Sequence, residues 1–297
     1  MNKQLKGTLA LLFATVIWGS AFIAQSVGMD LIGPFTFQTV RCGLAVVFLF
    51  PVSYLFEKEK SQFLVKWADL KLWKTGFVCG LALFAAAGLQ QVGLVYTSAG
   101  KSGFITAMYI VLVPILGLFL KQKPPLSAWF SVAIAVAGLY LLSCVGVTEV
   151  NKGDLLTLGC AFFFAVQITL IDRLAGNLDG IRLNCVQSLF CTLLSALAMV
   201  LTEKPEIGNI LSCWMPLGYA GILSMGVAYS LQIIGQKDLD PTVASLLMSL
   251  ESVFAVLCAW LILRERMTAY ELLGCGMVFA AVIISQLPAK EKKDAIA

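Results

Sequence analysis

TGFVCGLALFAAAGLQQVGLVY, residues 75–96, returns 142 residues later as LGYAGILSMGVAYSLQIIGQKD, residues 217–238. The pairs Gly76/Gly218, Leu81/Leu223, Ala86/Ala228, Leu89/Leu231, Gln90/Gln232 and Gly93/Gly235 coincide. The register continues without a gap through Val111/Val253, Val136/Val278 and Ser143/Ser285. Chance matches of Leu, Val and Ala are common in apolar segments. A matched glutamine and matched glycines are not so easily obtained by chance. At a shift of 146, Gly7 falls on Gly153 and Leu9 on Leu155. The chain is therefore read as two copies of one unit, residues 1–148 and 149–297, which together form one domain.

Each unit holds five apolar runs. The ten spans are Thr8–Gln25, Pro34–Phe56, Thr75–Tyr96, Ser102–Leu120, Leu126–Val147, Leu155–Ile171, Leu183–Leu201, Trp214–Ile234, Pro241–Leu263 and Ala269–Leu287. Runs of about 20 apolar residues are the length a helix needs to cross hydrocarbon. The composition agrees: of 297 residues, 59% are hydrophobic and 13% charged, with mean hydropathy +0.89. A water-soluble chain of this size could not hide so much apolar surface. The fold class expected is an all-α membrane protein. Because five is odd, the second unit must run through the bilayer inverted relative to the first. Inverted repeats suit alternating access, in which one half rocks against the other around a midplane site.

The first apolar run is too long for a signal-peptide core and is read as a retained helix. The linker from Glu57 to Lys74 has room for an amphipathic surface helix. With the N-terminus inside, the short cytoplasmic segments carry fifteen Lys and Arg against five outside. The positive-inside rule then puts both termini in the cytoplasm of a multi-pass cell-membrane protein. The bias lies mainly in the first half.

Several classes are excluded or disfavoured. The net charge of +4 comes from scattered residues that form no nucleic-acid patch. There is no histidine, and the nine cysteines form no CxxC pair, so neither metal nor cofactor is expected and the thiols read as packing residues. No GxxxxGK[ST] loop occurs, so ATP does not drive the protein directly. An intramembrane enzyme lacks a nucleophile–base pair. A non-transporting membrane sensor or enzyme is the alternative from another class.

Some stretches resemble a known family. Leu250-Glu-Ser-Val-Phe-Ala255 through Leu263-Arg-Glu-Arg-Met267, followed by Glu271-Leu-Leu-Gly274, is similar to the ninth and tenth helices of EamA-type transporters. Trp18-Gly-Ser-Ala-Phe22 resembles their first helix, Val40-Arg41 their second, and the segment from Tyr96 to Phe104 their turn between third and fourth. Ser252 stands where the family has proline, which bears on the helix kink, and Arg264 stands where it has glycine before Glu265. The resemblance implies the drug/metabolite transporter superfamily: ten helices in two inverted five-helix repeats, and in bacteria commonly export of amino acids and related metabolites. A sugar-phosphate or nucleotide-sugar exchanger is the alternative within transport. Such a site needs clustered cations, and Arg41 is the only one deep in a span.

Polar side chains inside a bilayer tend to face a bundle interior or a wet cavity. Glu251 lies roughly 15 Å into its span at ~1.5 Å per residue, near the midplane. It is a candidate to bind a cationic group or take up a proton, the candidate coupling ion; a structural hydrogen bond between helices is the other reading. Its repeat mate is Tyr109. Arg41 could clamp a substrate carboxylate or hold a helix carbonyl or carboxylate. Gln90, Gln232 and Gln167 offer amide donors and acceptors, to a substrate or to neighbouring helices. Trp18 and Trp260 could stack on a substrate or serve as packing and lipid contacts. Gly76 and Gly80 read as a GxxxG packing face, and Arg264–Glu265 as a surface ion pair. The partners expected are a small-molecule substrate and the lipid bilayer, with the chain a monomer or homodimer.

Overall fold

A computed structural model describes residues 2–122, 124–143, 150–263 and 268–286. The Arg264–Glu265 pair, Lys123, Cys144 and the lysines at 290, 292 and 293 lie outside the described residues. Ten helical segments are numbered here as α1 (Lys3–Met29), α2 (Pro34–Leu55), α3 (Leu70–Gly93), α4 (Ala99–Thr106 and Tyr109–Phe119), α5 (Leu126–Ser143), α6 (Lys152–Leu174), α7 (Gly180–Thr202), α8 (Trp214–Gly218, Tyr219–Ala228 and Tyr229–Gln236), α9 (Pro241–Met248 and Leu250–Leu263) and α10 (Ala269–Gln286). Among the described residues, nine stretches are long and apolar enough to cross a membrane, and Leu126–Leu142 is a shorter apolar helix. There is no strand among them.

Local chemistry starts these helices where the sequence changes from polar to apolar. Side chains of Asp69, Ser98, Asp179 and Asp240 each accept a backbone N–H of the first turn that follows. Asn151 and Asp154 form a reciprocal capping box at the start of α6. Gly33 offers no capping side chain to α2. Glu203, at the end of α7, supplies one instead, accepting from Phe35 N and Thr36 N at 2.8 Å and from Thr36 Oγ1 at 2.6 Å. The 57–74 linker holds a 3₁₀ turn at Lys60–Gln62 and a five-residue helix, Phe63–Trp67. The third span begins at Leu70, five residues earlier than its apolar run, because Asp69 caps it there.

The outside of the bundle is apolar and the inside is partly polar. Phe13, Val47, Phe119, Leu126 and Val200 are exposed, whereas Gln38, Gln91, Gln167, Asn184 and Gln187 are fully buried. This reverses a soluble protein and fits a lipid solvent.

Equivalent helices of the two halves lie against each other in opposite directions. Along α5 from Gly138 to Leu142, the neighbours on α10 run backwards from Val278 to Gly274. Along α2, Gln38 and Cys42 meet Cys191 of α7 while Val46 meets Cys185. Helices related by an axis along the membrane normal would be parallel. Antiparallel mates require the inverted arrangement. The halves also exchange contacts symmetrically: α1 packs on α8 and α9, and α6 packs on α3 and α4. Glycines set the closest crossings. A Cβ on Gly235 would sit 2.7 Å from Gly7 O, and one on Gly153 would sit 2.6 Å from Gly93 O. These two contacts are copies under the repeat. The Gly76 and Gly80 face meets Val186, Gln187 and Phe190 of α7.

Candidate functional site

Two of the spans are broken at matching positions. In α4 the regular helix stops after Thr106 and resumes at Tyr109; in α9 it stops after Met248 and resumes at Leu250. The repeat shift carries Ala107 onto Ser249. At both breaks the backbone closes a tighter turn, with Ile110 N donating to Ala107 O and Ser252 N to Ser249 O. The second of these bonds needs the N–H that a proline at 252 would lack. Each break directly precedes the polar side chain of its half, Tyr109 or Glu251. In α8 the turns from Tyr219 to Ala228 widen to a π-helix, a form that often marks functional segments.

A central cavity opens beside these irregular turns. It is lined by Trp18, Phe22 and Gln25 of α1, Arg41 of α2, Gln90 of α3, Thr106 and Tyr109 of α4, Phe164 and Ile168 of α6, Ser224, Tyr229 and Gln232 of α8, and Met248 and Glu251 of α9. Its volume is about 40 Å³, room for a few waters. Gly19 brings α1 onto α9, because a Cβ there would lie 2.8 Å from Glu251 O. Gly221 does the same for α8 and α2, at 2.9 Å from Arg41 O.

Inside, the Tyr109 hydroxyl donates to Glu251 Oε1 at 3.2 Å. Arg41 Nη1 donates to Gln25 Oε1 at 2.5 Å, and the guanidinium lies 5.7 Å from the centre of the Phe37 ring. Gln90 Nε2 donates to Thr106 Oγ1 at 3.1 Å. Trp18 meets Tyr229 edge to face at 5.0 Å. Among the described residues, three buried polar atoms of the lining have no hydrogen-bond partner: Trp18 Nε1, Arg41 Nε and Gln232 Oε1. Buried polar atoms are nearly always satisfied, so these three suit a guest molecule or water.

A second polar cluster lies where α2 ends and α7 begins. Glu57, buried just past α2, pairs with Arg182 at 2.5 Å and Lys66 at 2.9 Å. The Lys66 ammonium, then the Arg182 guanidinium, hold the Glu57 carboxyl down at about 2. At the start of α6, Lys101 pairs with Asp154 at 2.6 Å.

The sequence profile of the EamA-like transporter family matches this chain twice, over residues 5–144 and 151–286. The chain belongs to the EamA-like transporter family. An uncharacterized transporter of Archaeoglobus fulgidus is 34% identical over 96% of this chain and 87% of its own length. The threonine/homoserine exporter RhtA of Escherichia coli strain K12 is 31% identical over 59% of each chain. A protein of known crystal structure superposes with TM-score 0.78 at 18% identity, covering 95% of this chain and 96% of its own; that likeness is one of fold. The EamA-like chain is thus a multi-pass membrane transporter.

Six of the eight residues singled out from the EamA-like sequence line the cavity: Trp18, Arg41, Gln90, Tyr109, Gln232 and Glu251. Gln167 is buried one layer behind, bonded to Gln232 and Gln187. Trp260 is about half exposed on the outer surface of α9. Some of the other lining residues carry a signal in the sequence. The shift of 146 carries Trp18 onto Phe164 and Phe22 onto Ile168, and the shift of 142 carries Thr106 onto Met248. Gln25, seven residues after Trp18, lies on the same helix face. Ser224 and Tyr229 have Ala82 and Ala87 as repeat mates, so no symmetry argument reaches them.

Proposed function

We propose that this protein is a secondary transporter that exports amino acids or similar small zwitterions by alternating access, with the halves 1–148 and 149–297 forming one transport domain. The observation that carries the reading is the placement of one cation, Arg41, and one carboxyl, Glu251, in the lining of the same central cavity. Arg41 Nε has no partner among the described residues, which leaves a donor for a substrate carboxylate. Glu251, already accepting from Tyr109, receives the ammonium end and is the candidate proton carrier. The name of the partial relative RhtA supports threonine and homoserine as first substrates to try. The broken turns of α4 and α9 supply hinges beside the ligand, as in other inverted-repeat transporters.

A phosphate-bearing substrate fits less well. Arg41 is the sole cation among the described lining residues, and Lys101 is paired with Asp154. We place the chain in the cytoplasmic membrane with both termini inside, in accord with the charge bias of its loops.

The test is flux of labelled L-threonine into proteoliposomes, with and without an imposed pH gradient. Wild-type flux that falls in Glu251→Gln and Arg41→Met is expected. Absence of flux, together with no thermal shift by any amino acid, would sink the reading.

A further inference from the structure

Behind the cavity runs a chain of side-chain amides whose direction chemistry dictates. It starts at the π-helical turns of α8. Asn184 of α7 reaches Met225 O at 2.9 Å, Gly226 O at 3.0 Å and Ser230 Oγ at 2.9 Å. Two of these partners are carbonyl oxygens, which can only accept. The third, Ser230, already donates its proton to Gly226 O. Asn184 must therefore present its NH₂ group to α8 and its oxygen the other way. That oxygen takes a bond from Gln187 Nε2 at 2.9 Å, which turns Gln187 Oε1 toward Gln167. Gln167 Nε2 donates to it at 3.4 Å. Gln167 Oε1 then accepts from Gln232 Nε2 at 3.2 Å. The last amide, Gln232, lines the cavity, and its Oε1 is buried without a partner among the described residues.

An isolated glutamine could offer either end to a ligand. Here the choice is made about three side chains away, at backbone carbonyls that cannot donate. We propose that the relay Asn184–Gln187–Gln167 fixes Gln232 as a hydrogen-bond acceptor, so that the cavity selects substrates bearing an N–H donor, an ammonium group, over analogues that lack it. Asn184, Gln187 and Gln167 do not line the cavity; they are positioning residues that set specificity through Gln232. The relay also breaks the symmetry of the site. The repeat mate Gln90 turns its NH₂ to Thr106, where Gln232 has Met248 in the matching place. The inference rests on the zwitterion reading and adds a second acceptor for the ammonium, Gln232 Oε1, beside Glu251.

The experiment measures binding of L-threonine and of 3-hydroxybutanoate, its analogue without the amine, to the purified full chain. The readout is the ratio of the two affinities. Wild type should favour threonine. In Gln187→Leu the relay is cut, Gln167 and Gln232 can turn over, and the ratio should fall by about tenfold, the value of one charge-assisted hydrogen bond. Gln232→Leu should show the same fall. Gln187→Glu still offers Gln167 an acceptor and should keep most of the preference. Melting temperature monitors folding for each variant, and the ratio is insensitive to the fraction of protein that is active. A wild type that favours threonine, with Gln187→Leu retaining the full preference, overturns the relay alone. A wild type that binds both compounds equally or neither overturns the zwitterion reading and the relay with it.

Discussion

The glycine crossing of α1 and α8 makes a quantitative demand. A methyl on Gly235 would lie 2.7 Å from Gly7 O, and 3.1 and 3.2 Å from side-chain atoms of Ala10 and Leu11. Ordinary contact begins near 3.4 Å, so the helices must part by about 0.7 Å. The obstacle is a backbone oxygen held in a helix, which cannot rotate aside. Overpacking of this kind costs about 1–3 kcal/mol. Alanine repays up to about 1 kcal/mol through its higher helix propensity. Gly276 of α10 is the control, because a Cβ there meets nothing within 4 Å, so only the propensity gain applies. Gly235→Ala should therefore be less stable than Gly276→Ala by roughly 1–3 kcal/mol, a difference of about 2–6 °C in melting temperature for a chain of this size. Thermal melting in detergent, followed by tryptophan fluorescence, reads it. Gly7→Ala should behave like Gly235→Ala, and the double variant should cost less than the sum, since the first methyl already separates the helices. Gly235→Ala melting at or above Gly276→Ala would refute the close crossing.

Three further outcomes are expected. The Glu57 carboxyl is depressed to about 2 by Lys66 and Arg182, below its unfolded value, so the stability it lends is complete above about pH 4.5 and is lost as pH falls toward 2; a melting series over pH 2–7 should show a larger acid loss in wild type than in Glu57→Gln. Glu203→Ala leaves Phe35 N and Thr36 N uncapped and should cost about 1–2 kcal/mol in melting, with no change in substrate affinity. Arg41→Lys keeps the charge but loses the planar fork that meets Gln25 and the cavity, and should weaken threonine binding about tenfold by competition, whereas Trp260→Phe, on the outer surface, should leave it unchanged.

Much of the architecture was legible because the bilayer imposes length and polarity on every span. Five apolar runs in each half, a register of 142 residues and matched glycines are enough to imply inversion, since an odd number of crossings leaves no alternative. The repeat did not say which copies would be used alike. Gly76 and Gly218 are equivalent in sequence, yet a Cβ on Gly76 would strike Val186 while one on Gly218 would meet nothing. Gln90 and Gln232 are equivalent too, yet one bonds Thr106 and the other Gln167. Trp18 and Trp260 looked alike as aromatic candidates within apolar runs. One faces the cavity and the other the surface, a difference of helix rotation that an all-apolar run does not encode, because its periodicity is weak.

The breaks in α4 and α9 were hidden for a related reason. No glycine stands at Ala107 or Ser249 to announce them, and in α9 Ser252 stands where the resembled EamA-type pattern would place a proline. Sequence alone determined the solvent, the number of spans, the duplication and its inversion, and the polar residues that had to be sheltered. All of these follow from the cost of placing polar groups in hydrocarbon. Tertiary structure decided the rotation of each helix, where two of them break, and which end of each buried amide faces the cavity. Those choices depend on which atoms from distant spans come within hydrogen-bonding distance, and contacts such as Asn184 with Met225 O exist only once α7 and α8 have packed.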